Sequence, residues 1–398
     1  PEGKMTTLEE NKATGSPNDL PVLSYDFRAP LGEYGAPNAT YHALRRLSLF
    51  IHDYGESLAG MDTVIPADNP LDPADCTHLR YSWRFDASAG GGVDGAPRAY
   101  LFVNNYVRHH AMAPHAETVL ALPAALAARL GYSSVRLLHV RDGDHFYAPV
   151  APVIDVDTLE VPLCTVNGVP VAYRYRGGKT QAADGRVVLS AEDSLRAYKV
   201  NVRAVGDASG ERLLLTADEY YGAADGGAFT GTLKAAAALD GSAATLELAV
   251  FPPAALAGAW SNGVQDGFSR HSACVAPQEP PALTCTKSAA STAEKAVYTL
   301  TLSPAARARL SGATLRIAYT GDKARLYRDG ALVADHFYLG EEYPWEIGLK
   351  RFVQSNADCA LSDDELSELE LEITSLKKDA KIYIEKWPEI SGSEIAVL

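Results

Sequence analysis

The feature that most constrains this chain is a strand, a loop and a helix that follow one another over residues 22–55. The strand begins at Val22 in VLSYDF, where aromatic and branched side chains favour extended structure. Pro30 ends it, because proline lacks the amide that a central strand donates. A single strand and helix cannot bury a core by themselves, so the unit predicts a partner sheet. The rest of the chain does not obviously supply that sheet.

The helix of this unit is predicted from Asn38 to Gly55. Asn38 is a favourable N-cap residue, and Gly55 suits the position just past a helix end. Between them, apolar residues recur at spacings of three and four, which predicts one buried helix face. That face consists of Tyr41, Leu44, Leu47, Ile51 and Tyr54.

Beyond a proline-rich linker at residues 61–80, the pattern is one of short strands. Stretches such as HLRYSWRF and AYLFVNNYV alternate apolar and polar residues, and turn signals recur about every ten residues. This spacing predicts antiparallel β-sandwiches. Asp329-Gly330 lies between two strand-like runs and predicts a hairpin turn.

Three segments of the chain resemble glycoside hydrolase family 35, the β-galactosidases. SYDFRAPLGEYG followed by YHALRRL is similar to the last strand and helix of that family's catalytic barrel, whose pattern is Ser-Tyr-Asp-Tyr-Asp-Ala-Pro-Leu, then Glu and Gly. Residues 319–352 resemble its C-terminal jelly roll, and residues 100–109 resemble a strand of the β-domain between them. The matching barrel residues are Ser24, Tyr25, Asp26, Ala29, Pro30, Leu31, Glu33 and Gly35, whereas Phe27 and Arg28 depart from the pattern.

The resemblance implies a mainly β chain, in which the end of a TIM (β/α)8 barrel is followed by β-sandwich and jelly-roll domains. Residues 1–60 would hold the last strand and helix of the barrel. Residues 61–165 and 166–275 would form two β-sandwich domains, and residues 276–398 a C-terminal jelly roll of the galactose-binding type. A chain that starts in a loop before a barrel strand looks like an interior piece of a longer protein.

The resemblance also implies an enzyme, a retaining glycosidase that hydrolyses terminal non-reducing β-D-galactose. Retaining glycosidases hold two carboxyl groups about 5 Å apart on either side of the scissile bond. The family places this Glu pair at the ends of its fourth and seventh barrel strands, which would lie upstream of Pro1. We therefore expect no catalytic residue in this chain, no activity of the chain alone, and a need for the upstream barrel segment as partner.

Tyr25, Asp26 and Phe27 are the expected substrate-binding residues. Phe27 occupies the position of a family tyrosine that touches galactose, and its ring can still pack against the C–H face of a pyranose. Tyr25 shares a strand face with Phe27, either in the barrel core or in its upper layer. Asp26 either bonds to barrel backbone or supports the sugar pocket. Ordinary barrel core remains the alternative for Phe27.

Composition excludes several classes of partner. The net charge of −14 argues against nucleic acid and against an anionic membrane surface, because both need clustered Lys and Arg. No apolar run of about 18 residues is present, so no membrane span is predicted.

Five cysteines without a C-x-x-C pair predict free thiols and favour the cytoplasm, with a Cys274–Cys285 bridge as the alternative. Oligomeric state stays open.

Other candidate sites are weaker. His109 and His110 point to opposite faces of a strand, so they and His115 do not predict a metal site. A calcium site at Asp142, Asp144 and His145 is a weak alternative.

RYRGGKT resembles the end of a phosphate loop, but its first glycine is replaced by Tyr173. Trp345 is predicted as a buried jelly-roll aromatic, with sugar stacking as the alternative. No cofactor is predicted.

A different class of function fits the same pattern. The chain could be a non-catalytic carbohydrate-binding or scaffold protein whose jelly rolls are the functional unit. A hydrolase with its own carboxylate pair inside the sandwiches is a third and weaker alternative. The strand and helix at residues 22–55 discriminate against the binding protein, because a standalone binding protein should not begin with one isolated βα unit.

Overall fold

A computed structural model describes most of the chain, with gaps. The described residues are 23–24, 29–86, 99–108, 110–202, 210–222, 231–234, 243–254, 256, 261–275, 283–303, 314–349, 368–376 and 388. They are 51% strand and 12% helix, which confirms the prediction of a mainly β chain. Of the predicted barrel strand, which begins at Val22, the structure describes Leu23 and Ser24, and neither of these two residues belongs to a strand.

The chain divides into two compact units. The larger unit contains Ala39–Ala238 and Ser242–Pro277, and the smaller contains Pro1–Asn38, Leu239–Gly241 and Gln278–Leu398. One division therefore falls within the predicted segment 1–60, directly before the helix. Another falls close to the predicted limit at residue 275.

The larger unit contains, among its described residues, three helices and strands β1 to β18. The helices are α1 (Ala39–Ala59), α2 (Ala124–Leu130) and α3 (Ala191–Leu195). The strands are β1 (Asp62–Val64), β2 (Arg80–Phe85), β3 (Ala99–Asn104), β4 (His115–Ala121), β5 (Ser134–Val140), β6 (His145–Pro149), β7 (Val153–Asp155), β8 (Glu160–Val166), β9 (Val169–Arg174), β10 (Gln181–Ala183), β11 (Arg186–Leu189), β12 (Ala197–Val202), β13 (Gly210–Leu215), β14 (Glu219–Gly222), β15 (Gly231–Lys234), β16 (Ala244–Phe251), β17 (Ser261–Gln265) and β18 (Phe268–Val275).

These strands form several sheets. Two have four strands each, in the orders β1-β2-β3-β6 and β10-β11-β9-β8, and a third has the order β4-β5-β7. A five-stranded sheet has the order β12-β13-β16-β18-β17, and β14 pairs with β15. Most neighbours are antiparallel as predicted, but β5 with β7 and β9 with β11 are parallel. Alternation along one strand carries no information about the direction of its neighbour, so the sequence could not show this.

Helix α1 packs its inner side into the main core of the larger unit. Phe50 is fully buried, and its ring stacks on Tyr147 with 4.0 Å between centroids. Tyr54 and Leu58 follow at spacings of four and are also buried. This apolar series continues past Gly55, so the helix extends to Ala59 and the predicted end at Gly55 is wrong.

The smaller unit contains strands β19 to β25 among its described residues. They are β19 (Leu283–Lys287), β20 (Lys295–Leu302), β21 (Thr314–Ile317), β22 (Lys323–Arg328), β23 (Ala331–Phe337), β24 (Trp345–Gly348) and β25 (Glu368–Thr374). They form an antiparallel five-stranded sheet in the order β19-β20-β25-β22-β23 and an antiparallel pair of β21 with β24. Trp345 is buried in the core between them, as predicted. Asp329 and Gly330, with φ of 50° and 77°, form the predicted tight turn between β22 and β23.

Two further sequence expectations concern thiols and membranes. Cys274 and Cys285 are both free, so the alternative of a bridge between them is wrong. Cys76 and Cys164 are free as well. Among the described residues, no helix is both long and apolar enough to cross a membrane.

An ion-pair network fastens helix α1 to the sheets. The Nζ of Lys199 on β12 lies 2.8 Å from Oδ2 of Asp53 and 2.9 Å from Oε1 of Glu211. The same Asp53 oxygen accepts a hydrogen bond from the amide of Thr165 on β8 at 2.7 Å. Burial alone would raise the pKa of Asp53, but the bonds from Lys199 and Thr165 lower it. The network thus joins α1, β8, β12 and β13.

We expect Lys199→Met to lower the free energy of unfolding of the larger unit by about 3 kcal/mol, because it leaves the nearly buried carboxylate of Asp53 without its Lys199 partner. The pKa of Asp53 is depressed in the folded state, so its contribution is complete above the ordinary aspartate pKa and is lost as the pH falls through the folded-state value. The difference between parent and variant in the free energy of unfolding, measured with urea, should therefore become smaller as the pH is lowered. Arg136→Met, in the half-exposed pair with Glu117, is the control and should cost less than about 1 kcal/mol. Equal effects of the two substitutions would contradict this account.

Candidate functional site

The expected substrate-binding residues Tyr25, Asp26 and Phe27 lie outside the described residues. The structure describes Leu23 and Ser24 before them and Ala29 after them. Those flanks show how the segment is held at each end within the smaller unit.

A buried carboxylate holds the segment immediately before Tyr25. Asp335 on β23 is 2% exposed, and it accepts the amide of Ser24 at 2.8 Å and the amide of Leu23 at 3.0 Å. Hydrogen bonds to an ionised carboxylate are among the stronger ones in proteins. The sequence offered one signal for this contact, an aspartate inside the otherwise apolar strand LVADHF, which pattern reasoning passed over.

The loop after Phe27 closes on itself. Asn38 spans its two ends, because its backbone amide donates to Pro30 O at 2.9 Å and its side-chain amide donates to Ala29 O at 2.6 Å. Inside the loop, Gly32 donates to Ala36 O, and Gly35 has a φ of 83°, which favours glycine there. The residues that match the family pattern from Ala29 to Gly35 thus form a self-supported loop, in which Glu33 is exposed.

Helix α1, which follows this loop, carries three exposed apolar side chains. Leu44, Leu47 and Ile51 are 48%, 45% and 50% exposed. Their spacing of three and four places them on one stripe of the helix, directly beside the buried Phe50, Tyr54 and Leu58. The prediction that Leu44, Leu47 and Ile51 are buried in this chain is therefore wrong, whereas Tyr54 of the same predicted face is buried.

The histidines from the sequence do not form a metal site in the described part of the chain. His109 lies outside it, His110 is exposed, and neither His110 nor His115 belongs to a cluster of three ligands. Burial lowers the pKa of His115.

The carboxylates of the weak calcium alternative are used by the protein itself. Asp142 Oδ1 accepts the amide of Met112 at 2.8 Å. Asp144 is buried, accepts the amide of Arg141 at 2.7 Å and pairs with Arg176. A cation at this turn would have to displace the Arg176 guanidinium, so the geometry disfavours calcium.

One cluster has metal-ligand geometry that sequence reasoning missed. His139, Asp155 and Asp157 bring ligand atoms within 4.8 Å of one another. Asp155 and Asp157 are two residues apart in the sequence, but His139 lies on β5, so the spacing along the chain does not signal the complete cluster. Arg141 and Arg176 both pair with Oδ1 of Asp157, the former at 2.8 Å. His139 Nδ1 lies 2.8 Å from Oδ1 of Asp155. Each carboxylate already has a partner in the protein, so the cluster is best described as an ion-pair network.

Comparison with known proteins identifies no relative: no protein-family model, no curated protein and no solved structure matches the chain. The likeness to family 35 therefore rests on the residues of the sequence itself.

We expect Asp335→Ala to release the segment before Tyr25. Two backbone amides lose a charged acceptor, which should lower the free energy of unfolding of the smaller unit by about 2 kcal/mol. Hydrogen exchange should show faster exchange at Leu23 and Ser24, while amides in the β2–β3 pair keep their protection. Glu368→Ala, an exposed carboxylate on β25, is the matched control and should leave both amides unchanged. Unchanged exchange in Asp335→Ala would show that other contacts hold the segment.

Proposed function

We propose that this chain is the C-terminal portion of a retaining β-galactosidase-like glycosidase, which hydrolyses terminal non-reducing β-D-galactose. In this proposal, residues 22–55 supply the last strand and helix of a (β/α)8 barrel, and the following sheets frame the entrance to the sugar cleft. The catalytic Glu pair belongs to a barrel segment outside residues 1–398. That segment and the galactoside are the partners that the proposal requires.

The observation that carries the proposal is the exposed apolar stripe of α1. Leu44, Leu47 and Ile51 are about half exposed, although burying such side chains contributes roughly 1.5–3 kcal/mol each. In a (β/α)8 barrel every helix packs one side against the central sheet. Helix α1 directly follows the barrel-like motif, and its exposed stripe has the composition that a barrel sheet would cover.

The alternative, a standalone carbohydrate-binding or scaffold protein, has less support. Its candidate stacking residue in the smaller unit, Trp345, is 4% exposed and cannot present a ring face to a sugar. It also leaves the exposed apolar stripe of α1 unexplained.

The test compares residues 1–398 with the protein encoded by the complete reading frame. A chromogenic β-galactoside should be hydrolysed by the complete protein and not by residues 1–398. In the complete protein, the double variant Leu47→Asp/Ile51→Asp should lower activity at least about tenfold, because it places charges against an apolar barrel surface. Ser48→Asp, exposed between them on the same helix, is the matched control.

The melting temperature of residues 1–398 shows whether the double variant disturbs the folding of this segment or only its packing against the barrel segment. Because Leu47 and Ile51 are already about half exposed, the double variant should leave the melting temperature of residues 1–398 nearly unchanged. Galactosidase activity of residues 1–398 alone, or a complete protein without such activity, would overturn the proposal. A double variant as active as Ser48→Asp would remove its structural support.

Within the proposed enzyme, Phe27 lines the galactose pocket near the C-terminal end of the last barrel strand, where barrel enzymes place their sites. Phe27→Ala should lower kcat/KM well beyond any change caused by Phe27→Tyr, because only the first removes the ring that packs on the sugar. The tyrosine hydroxyl adds one hydrogen bond, worth about tenfold at most. A Phe27→Ala variant with reduced thermal stability and unchanged kcat/KM would assign the ring to the barrel core instead.

A further inference from the structure

A polar cavity of about 590 Å³ opens in the larger unit beside the five-stranded sheet. Its lining comes from α3, from the end of β13, and from β16, β17 and β18. Asp193 and Arg196 stand on the α3 side, and the amide of Thr216 donates to Arg196 O, which joins α3 to the end of β13. Small-molecule sites in proteins have volumes of about 300–1,000 Å³, so the cavity has the size of a ligand site.

The cavity lies where one face of the sheet changes from apolar to polar. Leu215 pairs with Ala249, which pairs with Arg270, so these three side chains share a face. Glu247 and Ser272 form the next same-face pair along β16 and β18. Leu215 and Ala249 are buried, whereas Glu247 and Arg270 are exposed. The exposed lining at this end of the sheet is thus charged, while Leu215 and Ala249 belong to the core of the larger unit.

The charged groups of the lining are nearly balanced. Asp193 and Glu247 contribute carboxylates, and Arg196 and Arg270 contribute guanidinium groups. Arg196 also pairs with Glu192. This balance gives no preference for an anion such as phosphate or for a cation.

The hydrogen-bonding capacity of the lining indicates the ligand class. A carboxylate only accepts hydrogen bonds, and a guanidinium only donates them. A hydroxyl does both, so a ligand rich in hydroxyl groups can satisfy both kinds of wall at once. Among the apolar residues of the lining, Ala217 is exposed and can contact the C–H face of a sugar ring.

We propose that this cavity binds a short neutral saccharide, held by Glu247, Arg270, Asp193 and Gln265. The proposal rests on the cavity alone and does not require the function proposed above. Galactosidase activity and saccharide binding to residues 1–398 are therefore tested separately.

Gly263 provides a way to fill the cavity without strain. It lines the cavity opposite Arg270 on β17, and a Cβ built on it would meet no atom within 4 Å. Gly263→Leu should therefore fold and occupy space that the ligand needs. Val264 is the adjacent residue on β17, with a side chain that points to the other face and is 73% exposed. Val264→Leu is the matched control.

The experiment is titration of residues 1–398 with lactose, galactobiose and cellobiose, followed by saturation-transfer NMR and calorimetry. At least one saccharide should saturate below about 20 mM, in the range of weak carbohydrate affinities. Gly263→Leu and Arg270→Ala should weaken its binding at least about tenfold, because one fills the site and the other removes a charged donor. Val264→Leu should bind like the parent, and all variants should retain the parent's melting temperature.

Three outcomes would overturn the proposal. One is the absence of saturation by any of these saccharides. Another is binding that Gly263→Leu leaves unchanged while the protein stays folded. A third is that inorganic phosphate binds with greater affinity than any of these saccharides and that Arg270→Ala abolishes this phosphate binding. That result would assign the cavity to anions.

Discussion

The larger unit depends on how helix α1 is fixed against its sheets. The ring of Phe50 stacks on Tyr147, and Asp53 on the same helix receives Lys199 and the Thr165 amide. The stacking contributes buried apolar area, and the hydrogen bond from the Thr165 amide adds a polar contact that places Asp53 opposite β8. Removing one partner of a buried pair is costly, so the network specifies the orientation of α1 as well as its position.

That orientation decides what α1 presents outward. With Phe50 and Asp53 turned inward, Leu44, Leu47 and Ile51 lie at the edge of the buried side and stay about half exposed. A cluster of large apolar side chains on one exposed face is unusual for a protein surface without an interaction partner. The same constraint that stabilises the larger unit therefore creates the surface on which the proposed assembly depends.

Sequence reasoning predicted the existence of α1 and the mainly β character, and it placed the hairpin at Asp329-Gly330 correctly. It was right about Tyr54 but wrong about three other residues of the predicted face of α1, because residues 41–58 contain two neighbouring apolar series at helical spacing. Leu44, Leu47 and Ile51 form one series, while Phe50, Tyr54 and Leu58 form the other. Periodicity shows that a face is apolar, but only tertiary packing decides which face meets this chain's own core. Asp335 was missed for a related reason, since its partners are backbone amides more than 300 residues away.

The cavity beside α3 also shows what the periodicity of a sequence can and cannot predict. On β16, Leu246, Leu248 and Val250 occupy one face and are all buried, so alternation predicts a half-buried strand. Glu247 and Ala249 occupy the other face, where the burial changes from exposed to buried within two residues. This face of the sheet thus leaves the core at Ala249, and the charges of Glu247 and Arg270 line the cavity beyond it. The missing side chain at Gly263 leaves room there for a ligand.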